Sequence, residues 1–173
     1  MAQTGTERLY AAVHRALEAA VGPEAMIRRA YTNPSPPPPE DRDVVYYFLM
    51  PGRQAPQTEQ GWGQGGRPEW FRFSEWLLQM VFYGPGAGDL AWRVHRRMML
   101  DGRGNPRQLM RAGGLYPLPG SPGPALVWEE WQKQHRPRAD LTLYLWAAQH
   151  PAEEAGAGSV LHAPEVKVHS GEQ

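Results

Sequence analysis

The chain has 173 residues, of which 41% are hydrophobic and 21% charged, and this length and composition favour one globular domain. Eighteen basic residues balance eighteen acidic ones, so the net charge of zero gives no general attraction to nucleic acid or to an anionic membrane. There are no cysteines, which excludes disulfides, thiol nucleophiles and cysteine-based zinc sites. The N-terminus lacks a basic stretch followed by an apolar run, and no apolar run is long enough to span a bilayer, so we expect a soluble protein made in the cytoplasm.

The first predicted element is an amphipathic helix from Thr6 to Val21, in which apolar residues recur at helical spacing after a threonine cap. Gly22–Pro23 is expected to end this helix. Met26 and Ile27 favour a short strand or a second turn. The proline-rich run at 33–39 is predicted to be extended and stiff, and therefore unable to join the interior of a sheet.

Two strands are predicted next. Val44 to Met50 is rich in β-branched and aromatic residues, and Pro51–Gly52 is expected to stop the strand. Residues 53–68 are rich in glycine and glutamine and predict a mobile loop. Glu69 to Tyr83 is then predicted to be the longest strand, and its alternation places four large apolar residues on one face: Trp76, Leu78, Met80 and Phe82.

The second half of the chain predicts a helix and a β-hairpin. Gly84-Pro85-Gly86 forms a turn, and the helix begins at Gly88 or Asp89 and continues to about Leu100. Val127 to His135 and Asp140 to Ala148 are predicted strands, with Arg136–Pro137 as the turn between them.

The order of these elements indicates an α+β fold, in which two main helices pack on an antiparallel or mixed sheet with long Pro/Gly-rich loops. A loop with one short helical turn at Gln108–Met110 separates the second helix from the hairpin. We expect a single domain over residues 1–150 and a flexible C-terminal extension over 151–173. Within that extension, Val160–Leu161 and Val166–Val168 could add a short strand to a neighbouring molecule.

The sequence contains no motif that recommends catalysis, a metal or a cofactor. The glycine-rich stretch at 61–66 does not join a strand to a helix, and the one at 84–88 lacks the lysine and the serine or threonine that hold phosphate and magnesium. The six histidines are scattered without metal-ligand spacing, and no serine lies in a nucleophile elbow. We therefore expect no catalytic residues, no metal site and no cofactor.

Two groups of residues are candidates for an interface. Arginines concentrate between Arg93 and Arg111, and they form either a solvated helix face or a surface for an acidic partner, which would be another subunit or a phosphate backbone. Trp62 and Trp70 flank the predicted loop and are the better interface candidates, Trp76 and Trp92 are expected in the core, and Trp128, Trp131 and Trp146 are compatible with either place. The candidate arginines are Arg93, Arg96, Arg97, Arg103, Arg107 and Arg111.

The segment from Phe82 to Ala91 carries a resemblance to a known family. A strand that ends in Phe-Tyr-Gly, a short turn, and Asp-Leu-Ala opening a helix resembles the neck and tail terminator proteins of tailed bacteriophages. The surrounding order of elements agrees over about residues 6–148. The residues that carry the motif are Phe82, Tyr83, Gly84, Asp89 and Leu90.

The resemblance implies a structural role in the virion. Proteins of this kind form a homo-oligomeric ring, usually of six copies, at the end of the tail tube, where they stop tube polymerisation and join the tail to the head-side connector or stopper. The implied partners are the tail tube protein, the connector and, in a contractile tail, the sheath. DNA would pass through the lumen without being read by sequence, and the virion would assemble in the bacterial cytoplasm without a membrane.

Three alternatives remain open at this point. The first is a head-side connector or stopper of the neck, which binding to portal-side partners would reveal. A small nucleic-acid-binding module using the cluster from Arg93 to Arg111 would show an affinity that falls steeply with salt. An enzyme would need a pocket of convergent polar groups, which the sequence does not indicate.

Overall fold

The structure is a computed structural model, and it describes residues 5–30, 42–62, 68–100, 105–131 and 134–149. Within these ranges the side chains of 54–62, 68–72, 131, 134–135 and 149 lie outside the description. The described elements, in chain order, are α1 (Gly5–Val21), β1 (Met26–Arg29), β2 (Val44–Trp62), β3 (Pro68–Tyr83), α2 (Ala87–Met99), α3 (Pro106–Ala112), β4 (Leu115–Pro117), β5 (Ala125–Trp131) and β6 (Gln134–Gln149).

The strands form one curled, six-stranded mixed sheet, which confirms the predicted α+β class. The order is β1-β2-β3-β6, and β6 carries both β4 and β5 on its remaining edge. β1 runs parallel to β2, and every other pair is antiparallel. β1 and β5 therefore lie at opposite edges of the sheet.

The gap between β4 and β5 on the edge of β6 is filled by a loop. The backbone N–H of Leu118 donates to the carbonyl of Tyr144 at 2.9 Å, and the N–H of Tyr144 donates to the Ser121 hydroxyl at 3.1 Å. That hydroxyl in turn donates to the Leu118 carbonyl at 3.1 Å. The backbone groups of Tyr144 are thus satisfied as they would be by a strand.

The three helices pack on one face of the sheet, which we call the helix face; the opposite face is the outer face. Strand alternation sends one set of side chains into the core beneath the helices. Leu78, Met80 and Phe82 of β3 are fully buried there, and α1 and α2 contribute apolar stripes at helical spacing. None of the described helices is both long and apolar enough to cross a membrane. Leu141, Leu143 and Leu145 of β6 share one face, as predicted, and are buried in this core together with Ala139 and Ala147.

The predicted loop at 53–68 is largely wrong. β2 continues through Pro51–Gly52 to Trp62, and β3 already begins at Pro68, so a long β-hairpin replaces the loop and β2 is the longest strand. The pairing shifts register between Pro51 and Gln54 and again between Gln54 and Thr58. Such irregularities accommodate proline and glycine in a strand, which composition alone does not reveal.

The predicted turn at Arg136–Pro137 is also wrong, because both residues lie inside β6. Arg136 pairs with Glu129 and Pro137 with Trp128, so the hairpin connection falls at residues 132–133. The last pair between β3 and β6 is Tyr83 with Arg138. No β3 residue therefore lies beside Pro137. The N–H that proline lacks would point to this empty position, so no hydrogen bond between β3 and β6 is lost.

The motif segment forms a strand–turn–helix unit anchored to β2. The backbone N–H of Gly86 donates to the Asp43 carboxylate at 2.8 Å, and α2 begins at Ala87, one residue before the predicted start. Gly84 has a φ of 118°, and a Cβ there would collide with Asp43. Phe82 and Leu90 are buried on either side of this turn.

Candidate assembly surface

The outer edge of β5 is open: within the described residues no strand pairs with it. β5 pairs with β6 without a bulge over all seven residues, from Ala125 opposite Asp140 to Trp131 opposite Gln134. It contains no proline and no bulge, which are two devices that natural sheets use to protect an edge, and its charged residues are Glu129 and Glu130. A regular, unpaired edge of this kind is a site where a chain of complementary charge can pair.

Two large apolar side chains of β5 are strongly exposed. Leu126 is 69% and Trp128 72% exposed, although both lie on the helix face of the sheet. The helices end short of them: Leu126 reaches only the first turn of α2, where a Cβ on Gly88 would lie 3.0 Å from its Cδ2. The apolar side of the sheet therefore extends past the helices that cover it.

Trp92 of α2 adds to this surface. It is 46% exposed, so its predicted place in the core is wrong. Its indole packs against the chain just before β5, where a Cβ on Gly123 would come within 2.7 Å of Cη2. We call Trp92, Leu126 and Trp128 the β5 patch. The three side chains expose on the order of 400 Å², which is comparable to the largest apolar patch on a typical monomer.

A charged network on the outer face holds β5 in place. The hydroxyl of Tyr83 donates to Glu129 Oε2 at 2.9 Å, and Arg138 lies 3.4 Å from the other oxygen of that carboxylate. Arg138 also donates to both oxygens of Asp140, at 2.7 and 2.9 Å. These contacts tie β5 to β3 and β6, so the open edge is presented in a fixed geometry.

The pKa shifts in the network agree with a structural role. Burial, together with the hydrogen bond to Glu129, raises the pKa of Tyr83 to about 12. The hydrogen bond to Asp140 raises the pKa of the Arg138 guanidinium above its usual value. The phenol therefore stays protonated at neutral pH, and both carboxylates are paired with a cation, an arrangement unsuited to proton transfer.

The same row of side chains continues to the opposite edge of the sheet. Tyr46 meets Tyr83 edge to face, with ring centroids 6.0 Å apart, and Arg28 of β1 donates to the Tyr46 hydroxyl at 3.3 Å. On the helix face of β1, Arg29 lies 3.4 Å from the centre of the Tyr10 ring and 3.1 Å from Glu7. The β1 edge is therefore basic on both faces, whereas the β5 edge is apolar and acidic.

The predicted arginine cluster does not converge on one surface. Arg93 pairs with Glu24 at 3.2 Å, Arg97 donates to the carbonyl of Ala19 at 3.0 Å, and Arg107 donates to that of Met99 at 2.8 Å. Arg96 and Arg111 are exposed, and Arg103 lies outside the described residues. Several of these arginines thus support the packing of the chain itself, and a role for the cluster in binding stays a prediction.

Trp62 and Trp70 lie on the backbone of the β2–β3 hairpin, where Trp62 pairs with Pro68 and Trp70 with Gln60. Their side chains are outside the description, so their role at an interface stays a prediction. The hairpin extends past the end of β6, whose last pair with β3 is Gln149 with Arg72. The flexible extension predicted for 151–173 and the proline-rich run at 33–39 also lie outside the described residues.

The sequence reasoning missed β5 as an edge. The signal was present in the alternation of Leu126, Trp128 and Glu130, but only the pairing partners show that this side of the strand lies beyond the helices. Among the described residues, no group of three histidine, aspartate or glutamate side chains could hold a metal ion.

Comparison of the chain with protein-family models and with curated protein sequences finds no match in either.

Proposed function

We propose that this protein is a structural subunit of a tailed bacteriophage, a neck or tail terminator that forms a ring at the end of the tail tube. The observation that carries the assembly role is the open β5 edge with its exposed patch. An exposed apolar patch beside a regular, unpaired strand edge is a surface that another protein chain can cover by strand addition. The role is architectural rather than catalytic.

The ring geometry is supported by the topology of the sheet. Identical subunits close a ring only through heterologous contacts, in which one surface of each copy meets a different surface of the next. The β1 and β5 edges are two such different surfaces, at opposite ends of one curled sheet.

The identity of the assembly rests on the resemblance carried by Phe82 to Ala91. The segment folds as a strand, a turn and a helix with Asp89 in its first turn, which is the order of elements on which the resemblance rests. The proposed partners are further copies of this chain, the tail tube protein and the head-side connector, in the virion. DNA would pass through the lumen without sequence-specific contacts.

A head-side connector or stopper is the second candidate, since it would use the same lateral contacts and differ only in its axial partners. A nucleic-acid-binding module is less well supported, because arginines proposed to bind phosphate instead bind groups of their own chain.

Native mass measurement and negative-stain imaging of the purified protein, alone and with tail tubes, test the proposal. We expect closed rings, on tube ends if not in free solution. A protein that stays monomeric in the presence of tubes would refute it. Rings that bind portal-side complexes and ignore tubes would favour the connector.

A further inference from the structure

We propose that copies of this chain join edge to edge: β1 of one copy pairs antiparallel with β5 of the next, with Arg29 opposite Trp128. This inference rests on the proposed ring and names the contact that would build it. It follows from strand direction, backbone polarity and side-chain chemistry, which are independent features of the two edges.

Strand direction allows the pairing. β1 is parallel to β2, and the successive pairs β2–β3, β3–β6 and β6–β5 are antiparallel, so β5 runs opposite to β1. Neighbours in a ring are related by a rotation that preserves the sense of strands running along the ring axis. The β1 strand of one copy therefore meets the β5 strand of the next in antiparallel orientation.

Backbone polarity is complementary at the two edges. The backbone N–H of Met26 donates to the carbonyl of Asp43, just before β2, at 2.9 Å, and that of Ala30 donates to the carbonyl of Tyr47, in β2, at 2.8 Å. Since the backbone groups of successive residues point to opposite edges of a strand, those of Ile27 and Arg29 point away from β2. These are also the two β1 residues whose side chains lie on the helix face.

The same alternation applies to β5. Tyr144 of β6 directs its N–H and C=O to the edge that β5 shares, and so do the other even-numbered residues of β6, including Arg138. Arg138 is paired with Val127, so Val127 points its backbone groups inward toward β6. Those of Leu126 and Trp128 therefore point to the open edge. On both edges, the residues whose backbone N–H and C=O point outward are those whose side chains lie on the helix face. Two residues that pair directly in an antiparallel sheet must have their side chains on the same face, and these residues meet that condition.

Side-chain chemistry selects the register. Placing Arg29 opposite Trp128 puts Arg28 opposite Glu129 on the outer face, a pair of opposite charges. On the helix face, the same register places the Arg29 guanidinium against the indole of Trp128, a residue that is 72% exposed. Glu130 then lies diagonally across from Arg29. The same guanidinium already lies over Tyr10, so it would be held between two aromatic rings.

The competing edge is less suited to this contact. Beyond Tyr47 the edge of β2 has no partner among the described strands, but it contains Pro51 and two register shifts. Proline and irregular pairing are devices that prevent strand addition. β1 is short and carries two arginines, which discourage pairing with most strands, but Glu129 and Glu130 of β5 would neutralise these charges.

The register predicts a disulfide that no single copy can form. It places Ala30 opposite Val127 as a non-hydrogen-bonded pair, with Cα atoms about 4.5 Å apart, a spacing that a disulfide can span. Within one copy these residues sit on opposite edges, four strand spacings or about 19 Å apart across the sheet. The natural chain has no cysteine, so the variant Ala30→Cys/Val127→Cys would carry the only two thiols.

The experiment oxidises this variant and separates the products under denaturing, non-reducing conditions. We expect a ladder of covalent oligomers up to the size of the ring. A mixture of the two single-cysteine variants should stop at dimers, because each copy then has one thiol. The variant Ala30→Cys/Leu126→Cys, with its second thiol on the wrong face, should not cross-link. Ala125→Cys and Glu129→Cys, each combined with Ala30→Cys, test registers displaced by two residues.

The outcomes separate this inference from the ring itself. Rings that form in the natural protein while none of the three outer-face cysteine pairs cross-links would overturn edge pairing and leave the ring function standing. Cross-linking of Val127→Cys alone into dimers would show β5 paired with itself, and would also overturn the inference. A series of cross-linked oligomers without closed rings would support the pairing of β1 with β5 and refute the terminator ring.

Discussion

The alkaline stability of the protein provides a quantitative test of the contact between Tyr83 and Glu129. Burial and that hydrogen bond raise the pKa of Tyr83 from 10.0 to about 12. Because the folded-state pKa lies above the unfolded one, the stabilisation is fully present below about pH 10 and is lost as the pH rises through about 12. A shift of this size corresponds to about 2.7 kcal/mol for a fully buried group. Solvent screening of this half-exposed ring reduces it to about 1 kcal/mol.

Urea unfolding of the natural chain and of Tyr83→Phe, at several pH values between about 8 and 12, measures this contribution. At the lower end we expect the natural chain to be more stable by about 1 kcal/mol, and the difference should vanish at the upper end. Tyr144→Phe is the matched control, since Tyr144 is exposed on the same face. A difference between the natural chain and Tyr83→Phe that stays constant across the whole pH range would refute the reasoning.

Four further substitutions, with Gly120→Ala as a control, test the fold and the patch. In thermal unfolding, Gly84→Ala should lower the free energy of unfolding by about 2–3 kcal/mol, because a positive φ and a collision combine at this position. Gly120 also has a positive φ but has nothing within 4 Å of an added Cβ, so Gly120→Ala should cost about 1 kcal/mol. Equal losses of stability in the two variants would contradict this account. Leu141→Ala should lower the free energy of unfolding by about 3 kcal/mol, since it opens a cavity in the core. Leu126→Ser and Trp128→Ser should leave monomer stability within about 0.5 kcal/mol while reducing oligomer formation in sedimentation velocity; unchanged assembly would remove the patch from the interface.

Hydrophobic periodicity and turn residues predicted much of this fold. The helix at Thr6–Val21 begins one residue early in the structure, and the strand–turn–helix at Phe82–Leu90 has the expected order, because each is determined by local spacing and caps. Met26 and Ile27 form part of a real strand, although its parallel pairing with β2 depends on contacts distant in sequence.

The failures have a common physical cause. Residues 53–62 have a composition typical of loops, yet they form a strand because β3 supplies a continuous partner and bulges absorb the prolines. Proline is a turn signal in the sequence, but Pro137 fits inside β6 because it lies beyond the last pair with β3, where no neighbouring strand needs its missing N–H. The β5 patch required knowledge of how far α2 extends over the sheet, which local sequence does not contain. Each error concerns pairing between segments rather than the propensity of one segment.

The length of the β2–β3 hairpin has a consequence for the dynamics of the molecule. Where β6 ends beside Arg72, the sheet narrows to two strands, and the ribbon beyond that point has neither a third strand nor a helix among the described elements to pack against. Isolated two-stranded ribbons are marginally stable in water, so the backbone amides there should open locally at a small fraction of the free energy needed to unfold the core. Amide hydrogen exchange should therefore be fast at 59–61 and 69–71 and slow at 76–82. We therefore expect the hairpin beyond Arg72 to open independently of the core, so that a partner could bind it without unfolding the rest of the protein.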